Sequence, residues 1–419
     1  MNRRRAFTLV LLILPFVLVA AWPAAAQRPS ACTASYVDLL TQAGVECAQT
    51  TVGTACYASV APDVADVGTS DLATLSRDAL LSTPVRVDAQ SIADIVELDS
   101  WGVLVTRLYA SLPTGSPHDV LVLGLGAVEI ANGVKSEEAF APIELPVALV
   151  AIGSGELRRS TLASPDESDV IGTVVEGQGV LADAISADGR WVRVSVDDAP
   201  GWVQSDILES NDLDVLPSLA PGQLAPMQAF FFRTRSETAA CATVDSLLYV
   251  QAPREVSVDL VINSVPMRLQ STLVLRTIDL GRVGRRMEIV NLYGLTYINP
   301  DTDAEIILPP GFTLTIDYDV ELTDEVVDAG GIDLVRPRAY GQPVTVTYDQ
   351  LDDIALVPVP DSLLSYVVPP PIIITPSGVG GPIIELIFED PVAAAGVAQL
   401  CAQGILPVAI CQVFGFPTP

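Results

Sequence analysis

"VSVDLVINSVPMRLQSTLVLRTIDLGRVGRRMEIVNLYGLTYINP", residues 256 to 300, is built from runs of alternating apolar residues. Val256, Val258, Leu260 and Ile262 keep a period of two, and Phe312, Leu314, Ile316 and Tyr318 repeat it just beyond. Successive side chains on a strand point to opposite faces, so this period marks strands with a buried face. Turn signals separate the runs: "NSVP", "DLGRVG" and "NPDTDAE". Such spacing predicts antiparallel strands in a sandwich or rolled sheet. A parallel α/β enzyme needs helices between its strands, and none is legible between 226 and 320.

The rest of the 419-residue chain extends this β-rich reading. "WGVLVTRLYASLP" and "HDVLVLGLGAVEI" are apolar runs joined by "PTGSP", which predicts a hairpin with a longer loop. "GLGAVE" at 124 to 129 lacks the third glycine and the following helix of a dinucleotide loop. Upstream, "ASYVDLLTQAGVEC" places Tyr36, Leu39, Leu40 and Ala43 on one helical face. After about 345 the chain turns proline-rich, with Pro369, Pro370 and Pro371 in a row. Proline lacks the N–H that a central strand needs, so an extended arm is expected, packed through its apolar residues. Asp390, Pro391 and Gly404 bracket a C-terminal helix.

The start of the chain predicts export. "MNRRR" is basic, "AFTLVLLILPFVLVAAW" is apolar, and Ala24, Ala25 and Ala26 precede Gln27. This is the pattern of a signal peptide over 1–26, cut after Ala26, with a retained anchor as the alternative. No second apolar run of about 20 residues follows, so no membrane span is expected after cleavage. The net charge of −29 disfavours nucleic acid and anionic membranes as partners. Six cysteines, Cys32, Cys47, Cys56, Cys241, Cys401 and Cys411, predict disulfides in an exported protein. Proximity suggests Cys401 with Cys411 and two of the first three together, the third reaching Cys241. No CxxC occurs and His118 is the single histidine, so neither a metal nor a cofactor is expected.

Catalytic patterns are sparse. His118 has no nucleophile motif beside it, which disfavours triad chemistry. Asp301 with Asp303, and Asp317 with Asp319, are carboxylate pairs of the type glycosidases use. In so acidic a chain they read first as turn and surface carboxylates. Arg282, Arg285 and Arg286 form a small basic cluster that neighbouring acids can neutralise.

The region from 146 to 210 has a recognisable order. Leu157-Arg158 is followed by Ile171-Gly172-Thr173 with Gly177, by Gly189-Arg190-Trp191 with Val194, and by Gly201-Trp202-Val203. This order resembles the bacterial Src-homology-3-like module, SH3b. The resemblance implies a small β-barrel that binds cell-wall peptide or another extended chain in some members and acts as a spacer in others. Gly201 reads as the residue that lets the chain turn before Trp202. Trp191, Trp202, Asp197 and Asp198 are the candidate ligand contacts. Two placements stay open: both tryptophans in the core, or one in the core and one lining a shallow groove. The run "MEIVNLYGLTYI…AEIILPPGFTLTI" resembles the periplasmic FecR-type β-domain and implies no activity.

The expected organisation is mainly β and multi-domain. A disulfide-tied α+β domain (27–145) precedes an SH3-like β-barrel (146–210), a linker (211–225), an antiparallel sandwich or roll (226–345) and a Pro-rich arm with a helix (346–419). The expected function is non-enzymatic: a secreted or cell-surface protein that binds a cell-envelope or extracellular polymer or peptide. A purely structural or adhesive protein is the alternative, and a carboxylate-dependent hydrolase the third reading.

Overall fold

A computed structural model describes residues 40–41, 43–45, 47–60, 70–75, 86–88, 102–125, 128–134, 138–161, 169–234, 246–280, 284–318, 336–346 and 359–368. The expected leader, Cys32, Cys241, Cys401, Cys411 and the expected C-terminal helix lie outside them. The protein is mainly β, in two largely antiparallel sheets.

The first strands are β1 (Thr54–Val60), β2 (Ser70–Leu75), β3 (Arg86–Asp88), β4 (Gly102–Leu108), β5 (Val120–Leu125) and β6 (Val128–Asn132). Next come β7 (Val147–Val150), β8 (Gly155–Arg158), β9 (Val170–Val174), β10 (Gly179–Ser186), β11 (Trp191–Val196), β12 (Ala199–Gln204) and β13 (Ser218–Leu219). The last are β14 (Ala229–Thr234), β15 (Leu247–Gln251), β16 (Val258–Ile262), β17 (Val265–Asp279), β18 (Arg285–Ile298), β19 (Ile306–Leu308), β20 (Phe312–Tyr318), β21 (Pro337–Tyr340) and β22 (Val344–Thr345).

The long β17–β18 hairpin is the spine of a 15-stranded sheet. One edge of β17 serves two partners: its first half pairs with β16 and its second half with β15. A bulge at Thr272/Leu273 separates the halves, and bulges bend the strands that carry them. Gly294 lies beside it at φ +74, where a Cβ would stand 1.9 Å from the Gln270 carbonyl oxygen. Only glycine fits there. From β15 the sheet continues through β5, β4, β1 and β2; from β16 it continues through β14, β6 and β3.

The two branches share a core. Leu104, Val122 and Val250 of one meet Ile130, Phe232 and Leu260 of the other. The opposite face of the β1–β4–β5–β15 branch holds a second core, with Val103, Val105, Leu121 and Leu123. Leu40 and Ala43 of the N-terminal helical turn and Leu363 of the proline-rich arm cover it. β5 is therefore buried at every position. Cys47 and Cys56 form a disulfide that ties this turn to β1.

The segments expected as separate domains thus join in one sheet: β5 pairs with β15 and β6 with β14. Strands β7–β13 sit between β6 and β14 in the chain and form the second sheet. Its entry and exit run side by side, with Phe140 N–H donating to Leu224 O. The connection expected as a linker is packed: Leu216 enters the core of the small sheet and β13 extends β10 in parallel.

The small sheet runs β13-β10-β11-β12-β8-β9, with β7 also on β10. It wraps a core of Leu149, Leu157, Val174, Val192, Val194 and Val203. A closed barrel, as the SH3b resemblance implies, is not found. After β12 a single 3-10 turn, Ser205–Ile207, takes the chain out of strand geometry. An isolated antiparallel bridge, Ala151 to Leu208, then connects the first and last segments, with Ile152 N–H donating to Ile207 O at 2.7 Å and Glu209 N–H to Val150 O at 3.1 Å.

Candidate functional site

The candidate residues lie on the β11–β12 hairpin. Its register pairs Trp191 with Gln204, Arg193 with Trp202 and Val196 with Ala199. Directly paired residues share a face. Val192, Val194 and Val203 face the core and are fully buried. Trp191, Arg193 and Trp202 therefore project from the outer face. Neither tryptophan belongs to the sheet's main core, and both are half-buried.

The turn between the strands is Asp197-Asp198, at φ 48 and 68. These values fit the type I′ turn that two-residue hairpins favour. Gly201 is not at this turn. It lies inside β12, where a Cβ would come 2.8 Å from the Arg158 carbonyl oxygen and 2.7 Å from a Leu157 methyl. Close approach of β8, not a turn, demands glycine there.

The two halves of the outer face differ. Around Trp202 it is closed by the rest of the chain. Trp202 packs on Phe140, Ala184 and Leu219. Beside it Arg193 grips Asp183 with two hydrogen bonds, Nε to Oδ1 at 2.8 Å and an Nη to Oδ2 at 2.7 Å. Asp183 is 0% exposed and Arg193 6%. A bulge at Ala182/Ala184 accompanies Asp183 in β10. Asp183 Oδ2 also accepts the Thr114 backbone N–H, 2.7 Å away, from the β4–β5 loop of the large sheet. The Arg193 guanidinium carbon lies 4.8 Å from the Phe140 ring centre, a cation–π distance. This half joins the two sheets.

Among the described residues Trp191 joins none of the hydrophobic clusters. The Arg158 guanidinium stands 5.9 Å from its ring centre and pairs with Glu156. Neighbouring Arg190 is 80% exposed and pairs with Asp188 at 2.9 Å. The Ser186 hydroxyl, donating to Asp188, holds that carboxyl below its usual range. Two cations and a half-exposed indole thus share one corner of an acidic protein.

Asp197 and Asp198 are exposed at the other end of the hairpin, and Asp197 accepts from Gln178 Nε2 at 3.0 Å. Asp197 lies six residues beyond Trp191, about 20 Å at about 3.4 Å per residue. The four candidate contacts therefore do not converge. Asp183, Arg193 and Phe140 went unnoticed in the sequence; a lone aspartate inside the apolar run "GVLADAIS" was the available signal.

The other carboxylate candidates are occupied. Asp301 takes two bonds from Arg268, at 3.1 and 2.8 Å. Asp317 binds Arg286 at 2.7 Å and lies near Arg338. The arginine bonds hold both carboxyls below their usual range, opposite to what a general acid requires. Asp303 is exposed, while Asp319 and Arg282 lie outside the described residues. The backbone N–H of half-buried His118 donates to Ser116 Oγ at 3.2 Å. Among the described residues no cluster of three or more His, Cys, Asp or Glu could hold a metal, and no helix is long and apolar enough to cross a membrane. No family model, curated protein or solved structure matches the chain.

Proposed function

We propose that this is an exported, non-enzymatic protein that binds an extended cell-envelope or extracellular polymer or peptide through the Trp191 corner of its small sheet. The observation that carries the reading is the division of the outer face. Trp202 and Arg193 are spent on the contact between sheets, whereas Trp191, next to Arg190 in the chain and under Arg158, joins no hydrophobic cluster of the described residues. An indole stacks on sugar rings or extended peptide, and the Arg158 and Arg190 guanidinium groups, each paired with an acid, offer their remaining N–H donors to the same chain. The Cys47–Cys56 disulfide supports an oxidising compartment, and with it export.

The test uses the mature chain, residues 27–419, incubated with insoluble cell-envelope polymer and with peptide arrays. Retention that falls about 30-fold on Trp191→Ala, a hot-spot loss of about 2 kcal/mol, supports the reading. The second reading is a structural spacer. It is favoured by the Thr114–Asp183 bond, which fastens the small sheet to the large one. Absence of retention for the wild-type chain selects it.

A further inference from the structure

Residues 359–368, "VPDSLLSYVV", lie across the second core but add no strand to the sheet. The segment opens with a turn, Leu363 N–H to Pro360 O at 2.9 Å. Beyond it, side chains of the large sheet read its backbone. Arg107, held by both oxygens of Asp119, donates to Leu363 O at 3.1 Å. Gln251, 0% exposed, accepts Ser365 N–H at 2.7 Å and donates to Tyr366 O at 2.9 Å. Arg254 donates to Val367 O at 2.8 Å.

Side chains of the segment are read as well: Ser362 Oγ donates to Gly44 O at 2.7 Å, and Ser365 Oγ accepts from Arg107 at 3.2 Å and donates to Asp119 Oδ1 at 3.3 Å. Leu363 is 0% exposed in the apolar seat. The Tyr366 ring lies 4.2 Å from the Arg254 guanidinium and 5.9 Å from the Tyr293 ring. Its hydroxyl donates to Ala252 O at 3.0 Å and meets Thr272 Oγ1 at 3.0 Å. The seat therefore has the parts of a peptide groove: fixed donors and acceptors for a backbone, and places for a leucine and, three residues on, a tyrosine.

We propose that this groove also takes the 359–368 segment of a second copy of this chain, so that copies link by exchanging the strap. Every group the seat reads is present in the second copy's strap. Because the strap contributes no ladder hydrogen bond, its departure leaves the pairing of the large sheet intact. In one chain the strap is covalently joined to its seat, and covalent joining sets effective concentrations on the order of millimolar. Exchange competes where copies crowd to that level, as at a surface. This inference is independent of polymer binding at Trp191.

Full-length mature variants test it. Leu363→Asp disables the strap and leaves the seat vacant, while Gln251→Glu keeps the side-chain size but loses the donor to Tyr366 O. A fluorescent peptide of sequence 359–368 should bind the Leu363→Asp chain. It should bind wild type at least about tenfold more weakly, because the tethered strap competes. Adding Gln251→Glu to Leu363→Asp should abolish binding. Mixing the two single variants should give a heterodimer by light scattering, with each alone monomeric. If Leu363→Asp fails to fold, Leu363→Ala serves in its place. Peptide binding to neither strap variant, with native circular dichroism, overturns the proposal; so does binding that survives Gln251→Glu, and so does a mixture of the two single variants that stays monomeric.

Discussion

Asp183→Ala is the most informative perturbation of the contact between the sheets. The substitution leaves the Arg193 guanidinium, 6% exposed, without its bidentate partner and the Thr114 N–H without its acceptor. Breaking one side of a buried ion pair costs about 3–5 kcal/mol, because a desolvated charge remains. We expect Asp183→Ala to lose about 4 kcal/mol. Arg193→Met should cost a similar amount, since Asp183 is then the stranded charge. The double variant should recover roughly half of either loss, because an apolar pair carries no buried charge. Urea unfolding of the mature chain, followed by tryptophan emission in a Trp101→Phe background, reports the small sheet through Trp191 and Trp202. A loss under about 1 kcal/mol for Asp183→Ala, or a double variant no more stable than the singles, would refute the buried-pair argument.

Other expectations are briefer. Trp202→Ala should destabilise the small sheet by about 2 kcal/mol through lost packing on Phe140 and Leu219, whereas Trp191→Ala should cost under about 1; thermal unfolding separates them. Gly294→Ala should cost about 3 kcal/mol or more, measured by urea unfolding, because the new methyl collides with a backbone carbonyl at positive φ. Reducing Cys47–Cys56 should cost about 3 kcal/mol, the closure entropy of a short loop, read from the shift of the urea midpoint. Asp301 and Asp317 have carboxyls lowered by arginine, so their contribution is present above the unfolded value of about 3.9 and is lost as pH falls through the lower folded values. Asp317→Asn should flatten the stability profile below about pH 4. Burial pushes the Tyr366 phenol up to about 12. The strap is therefore held fully below about pH 10, the ordinary tyrosine value, and should loosen as pH climbs towards the raised one. Hydrogen exchange of the Ser365 and Tyr366 amides measures it.

Local chemistry was well displayed in the sequence. The period of two in 256–262 and 312–318 produced β16 and β20, and the turn "NSVP" became the Asn263-Ser264 connection at φ 49 and 63. Two of the first three cysteines pair, as proximity suggested. Gly201, read as a turn residue, answers instead to the approach of β8, which lies more than forty residues upstream. "HDVLVLGLGAVEI", read as one run, divides into β5 and β6, which find different partners about a hundred residues or more away.

The sequence by itself determined that this chain forms strands, where many of them turn and which of their residues are apolar. These are properties of neighbours along the chain: alternation, proline and glycine, and acidic turn residues. Only the tertiary structure decided that β1–β6 and β14–β22 share one sheet, that the described strands of the small sheet form no closing ladder, and that Trp202 faces the seam while Trp191 lies on the other half of the outer face. Backbone hydrogen bonds are alike for every residue with an N–H and a C=O, so a strand carries no local mark of its partner. A period of two distinguishes two faces without naming what covers each. The covering groups here are Thr114, Phe140 and Leu363, and only the folded chain brings them to their strands.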